Sequence, residues 1–122
     1  MEIDNTVTGL IIGAAIEVHR NLGPGLMEKI YEQCLYRELE LQGVPTKRQV
    51  PIPIIYKGED LGIGLYLDLL VEDSVVVELK AVAHLEPIHT AQLLTYMKLS
   101  NKKLGLLLNF NVPVLKLSLI HI

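Results

Sequence analysis

Between Tyr66 and Ala81 the chain places charge where a β-strand should be apolar. The stretch reads Tyr-Leu-Asp-Leu-Leu-Val-Glu-Asp-Ser-Val-Val-Val-Glu-Leu-Lys-Ala. Its Leu and Val content predicts two strands and a tight turn, and strands are poor in Asp, Glu and Lys. Yet Asp68, Glu78 and Lys80 lie inside the strands, away from their ends. Side chains alternate faces with period two. On that rule Ile63, Leu65, Leu67, Leu69 and Val71 share one face, with Asp68 on the other. Val75, Val77, Leu79 and Ala81 share a face of the second strand, with Glu78 and Lys80 opposite.

Register decides whether the acids meet. A three-residue loop of Glu72-Asp73-Ser74 pairs Val71 with Val75 and sets Asp68 opposite Glu78, their Cβ atoms roughly 5 Å apart. A two-residue loop sends the carboxylates to opposite faces. The three-residue register is expected, because it gathers both apolar sets on one side. Facing carboxylates repel, and a divalent cation removes the conflict: Mg²⁺ takes oxygen ligands, often one or two carboxylates with water and substrate phosphate. Lys80, on the same face, can orient water or offset developing negative charge. A solvated outer face with an incidental ion pair is the plainer alternative.

At 122 residues the chain is expected to form one domain, spanning 1–122, with a single core. It carries a net charge of −3 and has five Tyr, one Phe and no Trp. That argues against tight autonomous nucleic-acid binding, which needs basic surface, and against a base-stacking platform. It leaves metal-assisted phosphodiester cleavage open. Cys34 is the single cysteine, so a disulfide within the chain and a thiolate zinc cluster are excluded. The acidic start, Met-Glu-Ile-Asp-Asn, is unlike a signal peptide, and no apolar run is long enough to span a bilayer. The expectation is a cytoplasmic protein that does not engage membranes.

In chain order, Asp4, Asn5 and Thr6 offer caps for a helix whose apolar positions run from Val7 to Val18. It should end near Asn21, with Glu17 and His19 as a polar helix end. A second helix is expected from Leu26 to Gln42, stopped by Gly43. At 100° per residue Glu28 aligns with Tyr31, Leu35 and Leu39, making it an acid on the core-facing side that needs a partner or a metal. Favourable placement at the helix N-terminus is the alternative. Lys47 to Tyr56 reads as a strand, and Pro51 and Pro53 consign it to an edge or a bulge. A hairpin at Lys57-Gly58-Glu59-Asp60 leads into the strand from Leu61 to Val71. After Ala81, Pro87 opens a third helix that runs to Asn101. Ile88, Gln92, Tyr96 and Leu99 are expected on one face, with Gln92 the polar exception. His84 and His89 make only a loose ligand pair. Leu104 to Phe110 is a continuous apolar run, expected as a strand buried on both faces and parallel to the Glu78 strand. One more short strand is expected between Val114 and Ile120.

Gly25-Leu-Met-Glu28-Lys-Ile-Tyr31 resembles the signature of the GxxExxY protein family, assigned to the PD-(D/E)XK nuclease-like superfamily. The resemblance runs from Ile11 through Gly23-Pro24-Gly25, Asp68, Glu78-Leu-Lys80, Gln92-Leu-Leu-Thr-Tyr96 and Gly105-Leu-Leu-Leu-Asn-Phe110, and fades after Pro113. It implies an α/β, restriction-endonuclease-like core: a central mixed sheet flanked by helices, in the order α-α-β-β-β-α-β with one further short strand. It implies that Asp68 and Glu78 hold a metal, that Lys80 is catalytic, that Glu28 is an additional acid at the metal, and that Gln92 supports the site.

Two functions are therefore in play. One is a Mg²⁺-dependent nuclease, with Mn²⁺ able to substitute, acting on nucleic acid, DNA foremost. The other is a non-catalytic or partner-dependent module that keeps the fold. The second is either a homodimer through apolar helix faces or a chain recruited by another protein.

Overall fold

The computed structural model describes residues 5–122, leaving aside the side chains of Asn5 and Ile63. Asp4, expected as a helix cap, and the side chain of Ile63, expected on the apolar strand face, therefore lie outside the described residues. The elements are α1 (Asn5–Leu22), α2 (Glu28–Leu41), β1 (Thr46–Tyr56), β2 (Glu59–Val71), β3 (Val75–Lys80), α3 (Pro87–Leu99), β4 (Leu104–Asn109) and β5 (Lys116–His121). The five strands form one sheet in the order β1-β2-β3-β4-β5. β3 and β4 are parallel, with α3 as the crossover, and every other neighbouring pair is antiparallel. This is the mixed α/β architecture expected of a restriction-endonuclease-like core. Among the described residues no helix is long and apolar enough to cross a membrane.

Two apolar clusters cover the two faces of the sheet. Ile11, Ala14, Ala15 and Val18 of α1 and Tyr31, Leu35 and Leu39 of α2 pack on Leu69, Val71, Val77, Leu106 and Leu108. Leu93 and Met97 of α3 pack on Ile52, Leu67, Leu70, Val76 and Leu107. The third helix thus buries Leu93 and Met97, one turn apart, while Ile88 and Leu99 are exposed. The expected shared face of Ile88, Gln92, Tyr96 and Leu99 is not the core face. The tight seat of α3 depends on Gly105, where a Cβ would come within 2.5 Å of Met97 Sδ and 3.0 Å of a Leu93 methyl.

The β2–β3 register follows the three-residue loop: Val71 pairs with Val75, Leu70 with Val76 and Leu69 with Val77. Glu72 and Asp73 take positive φ values of 54° and 55° in that loop, a conformation acidic and amide side chains tolerate better than most. β1 lies at the sheet edge, and its pairing slips twice around Pro53, as missing backbone donors require.

The expectation that Ile63 to Val71 keep one apolar face fails at Asp68. Leu67 packs in the α3-side cluster, whereas Leu69 and Val71 pack on the α1–α2 side. β1 inverts at the matching place. Val50 packs toward α3, while Arg48 turns to α2 and pairs with Glu32. Between them Gln49 has φ of 48°. A left-handed residue in each of many strands would destroy the ladder; one such residue reverses which side the following side chains face. The apolar pattern of the sequence contains no signal for that reversal, because both faces of the sheet are buried.

Candidate active site at the fork of the sheet

The paired strands β2 and β3 part company at Asp68 and Glu78. Their ladder ends at Leu69 and Val77, while β3 remains paired with β4 as far as Lys80 and Asn109. Where the next backbone bonds would fall, side chains take over. The Asp68 N–H donates to Glu78 Oε1 at 3.2 Å, and the Leu79 N–H donates to Asp68 Oδ2 at 2.9 Å. Each acid therefore satisfies the backbone of the opposite strand, which meets the demand of buried amides for partners.

This arrangement is electrostatically costly for the protein alone. Glu78 is only 6 % exposed. Burial pushes its carboxyl from 4.5 up to about 9, and the adjacent Asp68 adds to the rise through its charge and a side-chain hydrogen bond. The backbone bond from Asp68 and the charge of Lys80 act in the opposite sense. At neutral pH the pair thus holds a proton that a cation would displace. Lys80 ends β3 half-buried, and its backbone is fixed by the Phe110 N–H, which donates to Lys80 O at 3.0 Å.

An open cleft of about 450 Å³ meets the fork on the α2 side, lined by Glu28, Lys29, Glu32, Arg48, Gln49, Asp68 and Leu79. Glu28 is exposed at the first residue of α2, which corrects the expectation of a core-facing acid. The buried face of α2 begins only at Tyr31, about one turn after Glu28. Glu28 still faces the cleft and sits where the helix dipole favours an anion. Among the described residues no three acids, histidines or cysteines converge closely enough to hold a metal ion by themselves. The expected set of Asp68, Glu78 and Glu28 is therefore brought together only in part, as a close pair of acids with Glu28 on the cleft wall.

The donors that do converge are carboxylate oxygens, the chemistry of a hard divalent cation, and two carboxylates are enough when water and substrate complete the shell. In this poorly hydrated place both acids cannot ionise without a counter-charge, which a cation would supply. On both counts the residues fit a divalent metal.

The Gly25–Tyr31 motif builds the cleft's rim. Gly25 adopts φ of 106°, closed to residues with a Cβ without strain, and its N–H donates to Asn111 Oδ1 at 3.1 Å. Tyr31 stacks on Phe110 with ring centroids 4.6 Å apart. Its hydroxyl donates to Gly23 O at 2.6 Å and accepts from the Leu26 N–H at 3.1 Å. The tyrosine thereby ties the α1–α2 turn to the end of β4 and fixes where α2, and with it Glu28, begins.

Gln92 is half-buried on α3, and among the described residues no hydrogen bond ties its side chain to the acids. Tyr96, one turn further along, is the α3 residue that feels them: burial, then the charges of Glu78 and Asp68, raise its hydroxyl pKa above 10.0. His89 does not pair with His84 as a ligand. Its Nδ1 accepts from the Glu86 N–H at 2.9 Å within a capping box at the start of α3. His19 hydrogen-bonds Val112 O at 2.8 Å, joining the end of α1 to the β4–β5 connection.

Two contributors escaped the sequence reading. Asn109, 1 % exposed, donates to Val82 O at 2.9 Å and accepts from the Val82 N–H at 3.0 Å, steering the chain as it leaves Lys80. A lone amide closing an apolar run was the available signal. Glu32, 6 % exposed, accepts from Arg48 and from Gln49. Its signal was weak, since the partners lie on another element, sixteen and seventeen residues further along the chain.

Comparison with protein families finds a match over residues 5–122 to the family described as the PD-(D/E)XK nuclease superfamily. Comparisons with curated proteins and with solved structures give no significant match.

Proposed function

Since the chain belongs to the PD-(D/E)XK nuclease superfamily, we propose that its sheet fork hydrolyses phosphodiester bonds of nucleic acid, DNA foremost, and does so with Mg²⁺ or Mn²⁺. The single observation that supports this most is the meeting of Asp68 and Glu78 across a broken ladder, with Lys80 beside them. Asp68 and Glu78 are the residues that would hold the cation. When bound, it supplies a polarised phosphate oxygen and a water of lowered pKa.

The chain's own groups divide the remaining work. Glu78 would release its proton to solvent, and the two carboxylates that then face each other would be the pair that holds the cation. Lys80 places an ammonium beside the scissile phosphate, where it offsets charge that develops in the transition state. Glu28, at the mouth of the cleft, orients water. Gln92 and Tyr96 back the acids from the α3 side. We further assign the chain to the GxxExxY group on the Gly25–Glu28–Tyr31 pattern, and take 1–122 as one domain.

One observation favours a second reading. The cleft wall carries Glu28, Glu32 and Asp68 against Lys29 and Arg48, in a chain of net charge −3. Such a surface recruits polyanions poorly. In this reading the domain depends on a partner protein or a second copy for delivery to its substrate. Single- and double-stranded DNA and RNA incubated with purified chain in Mg²⁺, Mn²⁺ or EDTA test the proposal. Cleavage that needs metal and vanishes in Asp68→Ala and Lys80→Ala supports the nuclease. Cleavage unchanged in both variants marks a contaminant. Calorimetry showing no Mg²⁺ or Mn²⁺ binding at millimolar concentration leaves the module reading alone.

A further inference from the structure

The inversion of β1 opposite Asp68 has an identifiable restraint. Arg48 pairs with Leu69 and Val50 with Leu67, so Gln49 stands opposite Asp68. Gln49 is the left-handed residue at that point, with φ of 48°. For a residue with a side chain this conformation is unfavourable and persists only where its surroundings impose it.

Its surroundings are a buried acid. Glu32 Oε1 accepts from Gln49 Nε2 at 2.6 Å, and Glu32 Oε2 accepts from Arg48 Nη2 and Nε at 3.2 and 3.3 Å. Arg48 is held again from the other side, its guanidinium carbon 5.4 Å from the centre of the Tyr36 ring. One carboxylate on α2 thus grips two consecutive β1 residues, both turned to α2, and the next residue, Val50, packs toward α3. Charge-assisted bonds of this kind are among the strongest a protein makes. Both Glu32 oxygens already accept from β1, which makes the carboxylate a structural clamp on that strand.

We propose that Glu32 is a positioning residue for Asp68. By pinning Gln49 in the left-handed conformation it keeps β1 and β2 inverted together, and the inversion leaves the Asp68 carboxylate in the fork instead of in either apolar layer. This rests on the reading of Asp68 as a cation ligand.

The experiment is a double-mutant cycle read by Mn²⁺ calorimetry, well below the melting temperature of every variant. Glycine adopts positive φ freely, so a glycine at position 49 needs no clamp. Glu32→Ala should weaken Mn²⁺ binding roughly tenfold, the ratio matching the conformational cost it releases. In a Gln49→Gly background the same change should cost no more than about twofold. Thermal stability should stay low in both Glu32→Ala variants, since Arg48 loses its partner either way. If Glu32→Ala does not fold, Glu32→Gln takes its place in the cycle, with a smaller loss that glycine again removes. Equal losses in the two backgrounds overturn the proposal, as does wild-type affinity in Glu32→Ala. A wild-type chain that binds no Mn²⁺ overturns this inference and the reading beneath it together, whereas normal wild-type binding with no Glu32 effect overturns the inference alone.

Discussion

At the turn end of the β2–β3 pair, Val71 faces Val75 and Leu69 faces Val77, all four fully buried in a regular ladder. At the opposite end, the next two residues are Asp68 and Glu78, whose carboxylates replace the ladder. The two ends belong to the same strands and are built from neighbouring residues. The closed end gains from packing and tolerates no gap. The open end gives up backbone pairing and keeps two buried acids that a proton or a cation must neutralise. Stability and chemistry are thereby separated along a single pair of strands, and the separation can be attacked from either side.

The largest effect should come from the open end. Asp68→Ala should lower metal-dependent cleavage on the order of 10³-fold, the scale of several kcal/mol of transition-state stabilisation, while circular dichroism shows the fold kept. A chain that unfolds instead would mean that the open end also supports the structure. Next comes the closed end. Gly105 pairs with Val76, and Gly105→Ala forces a methyl against Met97 and Leu93. Overpacking of this kind costs about 1–3 kcal/mol, seen as a lower denaturation midpoint, and Mn²⁺ affinity should not change.

The third test joins the two ends through pH. The Glu78 carboxyl keeps its proton in the folded chain from 4.5 up to about 9, whereas in the unfolded chain it loses the proton near the lower value. The unfolded state then binds fewer protons, so this group's contribution to stability is full below that lower value and is lost as pH rises toward the upper one. Melting in EDTA should show this decline. Glu78→Gln should flatten it, and Mn²⁺ should raise the melting temperature more at pH 8 than at pH 5, because binding must displace the proton. The smallest effect is at the rim. Tyr31→Phe removes the hydroxyl bonded to Gly23 and Leu26, a loss of about 1 kcal/mol, with little change in metal affinity.

The sequence made one of these ends far more readable than the other. The closed end follows from loop length and period two, and the order of helices and strands follows from apolar spacing and from punctuation by Gly and Pro. The acids were legible as acids, because a carboxylate inside an apolar strand is conspicuous. Their local geometry was less so. Strand alternation assumes one backbone conformation throughout, and Gln49 departs from it where its side chain bonds Glu32, a residue seventeen positions earlier on another element. The expected face of α3 failed for a related reason. Its apolar residues surround the helix, so which of them became core was decided by the hollow above Gly105.

The prolines of β1 carry a consequence beyond the site. An outermost strand invites further strands to add to it, and repeated addition is how sheets grow into aggregates. Pro51 and Pro53 lack the amide hydrogens such growth needs, and the slipped pairing around Pro53 bends the strand from a straight template. The margin beside the cleft is thus sealed against accretion. Lateral growth of the sheet is left to the far margin at β5, away from the cleft walls.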